Sequence, residues 1–124
     1  LGFKNQKLKN FQEAIKFYNR VIKIDPTVVF TYYNLGIIFE QLRDIRQAEI
    51  YYKEAIKVKP LFIHSYNNLG IMSQNQGQKE NAIKYFKRII EIDPKYYSGY
   101  SNLGLVYASL GMYDEALNNY LKAL

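Results

Sequence analysis

The dipeptide Leu-Gly recurs along this sequence at a constant spacing. It stands at Leu1-Gly2, Leu35-Gly36, Leu69-Gly70 and Leu103-Gly104, a step of 34 residues each time. An alanine and a proline keep the same step, at Ala14, Ala48, Ala82 and Ala116 and at Pro26, Pro60 and Pro94. A fixed period of this length indicates stacked structural repeats. The natural unit of the chain is therefore the repeat, and its 124 residues hold about 3.6 of them.

Each repeat is expected to contain two helices. With the positions numbered so that Leu-Gly occupies 7 and 8, the small residues at positions 8, 20 and 27 allow close helix approach, and large residues at 4, 11 and 24 fill the space between helices. The proline at position 32 ends the second helix near Asp25, Lys59 and Asp93. Gly77 and Gly111, at position 15, end first helices, whereas Lys9 and Arg43 depart from this rule.

These signals predict eight helices. Their expected ranges are 1–8, 11–24, 28–42, 45–58, 62–76, 79–92, 96–110 and 113–124. Asn10 with Glu13, and Asp44 with Gln47, have the spacing of capping pairs that open second helices.

The repeated positions match the signature of the tetratricopeptide repeat, and the chain resembles that family along its whole length. The second repeat carries the signature as Tyr32, Leu35, Gly36, Phe39, Ala48, Tyr52, Ala55 and Pro60, with tyrosine in place of the usual tryptophan. The first repeat departs at Asn5 and Val21, and the third at Ser73 and Ile89. The resemblance implies an all-α fold, an α-solenoid of antiparallel helix pairs wound into a right-handed superhelix.

We expect one array segment over residues 1–124, with a partial repeat 1–28, repeats 29–62 and 63–96, and a partial repeat 97–124. Both ends fall inside predicted helices, and stacked repeats need solvated end caps. The expectation is a piece of a longer array, and the alternative is a short chain whose open ends pair in an oligomer.

Composition excludes most chemistry for this segment. The chain has 48% hydrophobic and 23% charged residues, which is typical of an ordered globular protein, and no apolar run approaches the roughly 18 residues of a membrane span. It has no cysteine, so disulfides, thiolate catalysis and cysteine-based metal sites are excluded. His64 is the only histidine, and no phosphate-binding loop or metal-ligand spacing accompanies it. We expect no enzyme, no cofactor and no metal.

The net charge of +6 and the thirteen tyrosines both have structural explanations. Nine cations fall on the outward stripe of the second helices, on the convex face, at Lys16, Arg20, Lys23, Lys53, Lys57, Lys84, Lys87, Arg88 and Lys122. Only Lys7 falls at a groove position, so no specific nucleic-acid binding is expected, although weak contact with an acidic partner or a nucleic-acid backbone stays open. Most tyrosines occupy core positions, and Tyr33 is the leading groove candidate.

The resemblance further implies that first helices line a concave groove, with ligand contacts from positions 2, 5, 6, 9, 12 and 13. The candidate peptide-binding residues are Phe30, Tyr33, Asn34, His64, Asn67, Asn68, Ile71, Ser98 and Asn102. Position 6 is asparagine in Asn34, Asn68 and Asn102, and an asparagine amide both donates to and accepts from a peptide backbone. A ladder of such residues would bind extended chains. The alternative is that these asparagines only pack or bond between helices.

Two known groove types can be compared with this one. The carboxylate clamp needs Lys or Arg at positions 2 and 6, which here are Phe30, His64 and Ser98 and the three asparagines, so acidic C-terminal tails are not the expected ligand. The strings 66–70 and 100–104 resemble the arrays of O-linked N-acetylglucosamine transferase and of SPINDLY-type glycosyltransferases.

These observations predict an intracellular scaffold, cytoplasmic or nucleocytoplasmic, that binds a protein partner as an extended peptide or a helix and does not enter a membrane. The alternatives are a substrate-recruiting arm of such a glycosyltransferase and an array that associates end to end.

Overall fold

The protein forms an all-α helical-repeat fold. The structure, a computed structural model, describes residues 2–124, with side chains from residue 6 onward, so that Leu1 and the side chain of Asn5 lie outside the described part. Within that part the helices are α1 (Gly2–Ile24), α2 (Val29–Gln41), α3 (Ile45–Val58), α4 (Ile63–Asn75), α5 (Lys79–Ile92), α6 (Tyr97–Ser109) and α7 (Tyr113–Ala123). The short turns make α2–α3, α4–α5 and α6–α7 antiparallel pairs, which confirms the predicted fold class.

The chain divides into two compact units. Residues 1–60 form the first unit, which holds α1, α2 and α3, and residues 61–124 form the second, which holds α4 to α7. In the second unit α6 packs against both α5 and α7. Successive repeats therefore join when the first helix of one packs on the second helix of the one before.

The prediction of separate helices over 1–8 and 11–24 is wrong, because α1 runs without a break from Gly2 to Ile24. In the later repeats the residue at position 15 leaves the helix with a positive φ, 63° at Arg43, 77° at Gly77 and 76° at Gly111. Lys9 occupies this position in the first repeat, and lysine is a good helix former that rarely takes a positive φ. Asn10 consequently lies inside α1 and opens no helix.

Other helix ends agree with the sequence signals. The side chain of Asp44 accepts a hydrogen bond from the backbone N–H of Gln47 at 3.2 Å, which is the predicted cap of α3. α1, α3 and α5 end two residues before a proline. After the first of these ends, the Tyr32 hydroxyl donates to the carbonyl of Pro26 at 2.8 Å, and burial raises the pKa of Tyr32 above its usual value.

Each helix pair is held together by an aromatic ring against a glycine. A Cβ on Gly70 would lie 2.5 Å from Cε1 of Phe86, and a Cβ on Gly36 would lie 2.5 Å from Cε1 of Tyr52. Both rings are completely buried. The absence of a side chain at position 8 is therefore what lets the paired helices approach.

The core prediction for the aromatic residues holds at some positions and is wrong at others. Tyr32, Tyr52, Tyr66 and Tyr107 are buried, but Tyr120 is 37% exposed. Phe17, which directly precedes the tyrosine at core position 24 of the first repeat, is 59% exposed. α1 packs mainly against α2, and α7 packs mainly against α6. The apolar side chains of α1 and α7 are therefore covered on one side of the helix only.

The positive φ of Arg43 gives a first prediction. Replacing Arg43 with Gly should raise the free energy of unfolding by about 1 kcal/mol, because glycine adopts this conformation without the steric cost that a Cβ imposes. Gly111→Arg is the matched reverse change, since a Cβ there meets no atom within 4 Å and only the φ is unfavourable. Urea denaturation measures both. A loss of stability in Arg43→Gly would contradict the assignment of strain to this residue.

Candidate functional site

Charge is divided between the two kinds of helix in the second unit. α4 and α6 contain no Asp, Glu, Lys or Arg, whereas α5 alone carries six such residues. The cations of the predicted outward stripe are exposed, except for Arg88, which is partly buried. A ligand on the first helices of this unit therefore meets a neutral surface, whereas a ligand on α5 meets four cations against two acids, a net charge of +2.

Two asparagines join the first helices of the second unit. The side-chain amide of Asn102 on α6 donates to Oδ1 of Asn67 on α4 at 3.1 Å, and both residues are partly buried. These residues stand at positions 6 and 5 of consecutive repeats, both of which are predicted ligand positions. The structure thus brings together two of the predicted site residues, and it shows that one asparagine bonds to the fold itself.

An aliphatic pair lies on the same side of these two helices. Ile71 follows Asn67 by four residues and Leu105 follows Asn102 by three, so each shares a helix face with its asparagine. Ile71 is 40% exposed and Leu105 is 51% exposed. We call the surface formed by Asn67, Ile71, Asn102 and Leu105 the α4–α6 face.

The other predicted residues of the second unit surround this face. Asn68 is partly buried beside Asn67 on α4, and Ser98 is exposed near the start of α6. His64 is exposed, with its ring edge-on to Phe62 and the two centroids 5.3 Å apart. The histidine therefore contacts an aromatic ring at the beginning of α4.

The first unit holds its predicted residues differently. The amide of Asn34 donates to the hydroxyl of Tyr18 at 3.3 Å, so this asparagine bonds to α1. Tyr33 is partly buried, and its ring lies 5.8 Å from that of Tyr52. Phe30 is exposed. Tyr33 is thus partly a packing residue, whereas Phe30 is 55% exposed.

Sequence reasoning missed one of the residues that matter here, Tyr18. The repeat register does carry the signal for Leu105, which shares with Ile71 position 9, one of the positions that the family resemblance implies for ligand contacts. The role of Tyr18 as an acceptor has no such signal, because it depends on where the hydroxyl lies relative to the next repeat.

Two further observations concern the described residues as a set. No group of three or more His, Asp or Glu side chains among them is placed to hold a metal ion. None of the described helices combines the length and the apolar content that crossing a bilayer requires.

Comparison with known proteins gives a consistent family. One model of the tetratricopeptide repeat matches residues 29–61, 64–96 and 97–124, and a second matches residues 5–28. A crystal structure of MamA superposes with a TM-score of 0.61 at 24% identity, covering 99% of this chain and 92% of MamA. A MamA RS-1 ArsTM double mutant gives 0.77 at 19% identity, covering 98% of this chain and 68% of that one. No curated protein sequence matches. At these identities the structural likeness concerns the fold.

Proposed function

Since the chain belongs to the tetratricopeptide repeat family, we propose that it is a protein–protein interaction scaffold that binds a partner segment on its first helices. The observation that carries this proposal is the α4–α6 face, where two exposed aliphatic side chains lie beside a bonded pair of asparagines. The chain acts by binding rather than by catalysis. The ligand is a protein partner in extended form or as a helix.

The asparagine pair suits a peptide backbone. The amide nitrogen of Asn102 is engaged by Asn67, and its carbonyl oxygen retains the capacity to accept from a peptide N–H. A side chain already held by a hydrogen bond loses little conformational freedom when a ligand arrives, so less binding energy is lost to ordering. The same hydrogen bond also fits a purely structural role, and binding measurements on asparagine variants separate the two.

The neutrality of α4 and α6 constrains the ligand. A charged side chain placed on this face would lose hydration without finding an opposite charge. An aliphatic or aromatic side chain would instead cover Ile71 and Leu105, and the covered apolar area would stabilise the complex. The favoured ligand segment is therefore uncharged where it contacts this face.

Leu105→Ser tests this proposal against a peptide selected from a displayed random library on the immobilised protein. We expect the affinity to fall about five- to tenfold, since the variant loses roughly half of a leucine's burial on binding. Leu117→Ser is the matched control, because Leu117 on α7 is 57% exposed and lies outside the α4–α6 face. Fluorescence anisotropy of the labelled peptide measures the dissociation constants of both variants. Equal losses in the two variants would place the ligand elsewhere.

A substrate-recruiting arm of an O-linked glycosyltransferase is the first alternative. Its support is the run Tyr66 to Gly70 with asparagines at positions 5 and 6, which resembles those arrays. Catalysis would then lie outside residues 1–124. The gene sequence beyond position 124 tests this alternative, because a nucleotide-sugar transferase domain must follow if it is correct.

Self-association is the second alternative. Leu117, Leu121 and Leu124 are exposed and recur with helical spacing along and just beyond α7. Light scattering over a dilution series tests it, and a mass that stays monomeric at every concentration would exclude it.

A further inference from the structure

A cleft opens between the second helices of consecutive repeats in the second unit. It has a volume of about 360 Å³ and lies between α5 and α7, with α6 beneath. Its lining residues are Lys87, Ile90, Glu91, Tyr100, Leu103, Tyr107, Asn119 and Lys122. We call it the α5–α7 cleft. The α6 residues that line it stand at repeat positions 4, 7 and 11, and none of them belongs to the α4–α6 face.

The α5–α7 cleft carries a net positive charge. Its acid, Glu91, is already paired with Arg88 at 3.1 Å. Lys87 and Lys122 reach it from opposite walls, and the described residues give neither of them an ion pair. The ammonium of Lys122 lies 6.0 Å from the centroid of the Tyr100 ring, so it is held beside the aromatic floor.

The floor of the cleft is apolar. Leu103 is almost fully buried, and Tyr107 and Ile90 lie beside it with little or partial exposure. The volume is near the lower end of the range for ligand-binding clefts, about 300–1,000 Å³. It therefore suits one large side chain of a ligand together with the ligand residues on either side of it.

We propose that the α5–α7 cleft is a second binding site, which takes an acidic segment of a protein partner with an aromatic side chain between its carboxylates. The aromatic side chain lies on the floor, and the carboxylates pair with Lys87 and Lys122. A nucleic acid fits less well, because tight backbone binding uses many cations in a row whereas this cleft offers two. The apolar floor also makes no favourable contact with a sugar-phosphate backbone.

The probe is a blocked peptide with one tryptophan between two pairs of glutamates. The chain itself contains no tryptophan, so indole fluorescence reports only the peptide. Lys87→Ala combined with Lys122→Ala should weaken binding about tenfold, from roughly threefold for each partly screened charge contact. Lys16→Ala with Lys23→Ala is the matched control, because it also lowers the net charge from +6 to +4 on exposed positions of α1. The control should change the affinity less than about twofold.

Several results would overturn the site. Equal weakening in both double variants would show a general charge effect. If a peptide with glutamines in place of the glutamates bound equally well, the cleft would not recognise carboxylates. Tighter, Lys87-dependent binding of a single-stranded oligonucleotide than of the peptide would assign the cleft to nucleic acid. Leu105→Ser, which tests the α4–α6 face, should leave this peptide's affinity unchanged, so the two proposals fail separately.

Discussion

Replacing Phe86 by alanine should lower the free energy of unfolding by about 3–5 kcal/mol, which is the cost of removing a fully enclosed aromatic ring. The ring lies against Gly70 on α4, and no solvent reaches it. Phe17→Ala is the control, because Phe17 is 59% exposed and should lose about 1 kcal/mol at most. Urea denaturation followed by circular dichroism measures both.

The contact between Phe86 and Gly70 has a sharper test in a double-mutant cycle. Gly70→Ala alone should cost about 1–3 kcal/mol, because its Cβ would lie 2.5 Å from the ring, although alanine favours the helix by up to about 1 kcal/mol. In the Phe86→Ala background the ring is gone, and the same change should stabilise the protein. The same cost in both backgrounds would show that the ring does not determine the need for glycine.

The sequence predicts the helix pairs well because each depends on residues whose chemistry acts locally. A proline two residues past the helix end, or a glycine with a positive φ, ends a helix wherever it stands, as at Gly77 and Gly111. Lys9 has no such property, and α1 runs through it without a break. Arg43 shows that the neighbouring chain can impose a positive φ on a residue that resists it, which makes position 15 the least predictable point of each repeat.

The candidate sites are less predictable because they depend on contacts between repeats. Position 6 selects Asn102, but its bond to Asn67 depends on the spacing between α4 and α6. Likewise, Lys87 and Lys122 appear in the sequence only as members of a charged stripe. The gap between their helices, which makes them face one cleft, comes from packing on α6 and has no signature in either helix.

Replacing both Asn68 and Asn102 by alanine should reduce the affinity for the peptide selected from the random library by about tenfold or more. Each lost hydrogen bond to the peptide backbone corresponds to about 0.5–1.5 kcal/mol. Stability should fall by at least about 1 kcal/mol, because Asn102→Ala also removes the bond to Asn67 and Asn68 makes an interaction within the fold as well. Anisotropy and urea denaturation on the same samples give the two quantities. Asn34→Ala tests the first unit by itself, where the bond lost is the one to Tyr18.

Asn118→Ala is the control for this change, since Asn118 is exposed on α7 and outside the α4–α6 face. It should leave the affinity unchanged and raise stability by up to about 0.7 kcal/mol, because alanine favours the helix more than asparagine does. The two roles of the asparagines give opposite patterns in the double variant. If they serve only to bond the helices, stability falls while affinity stays within about twofold of the unmodified protein, and the α4–α6 face loses its hydrogen-bonding role. If they bind the ligand, the fall in affinity exceeds what the fall in stability explains, because a protein that is still almost entirely folded loses binding only through lost contacts.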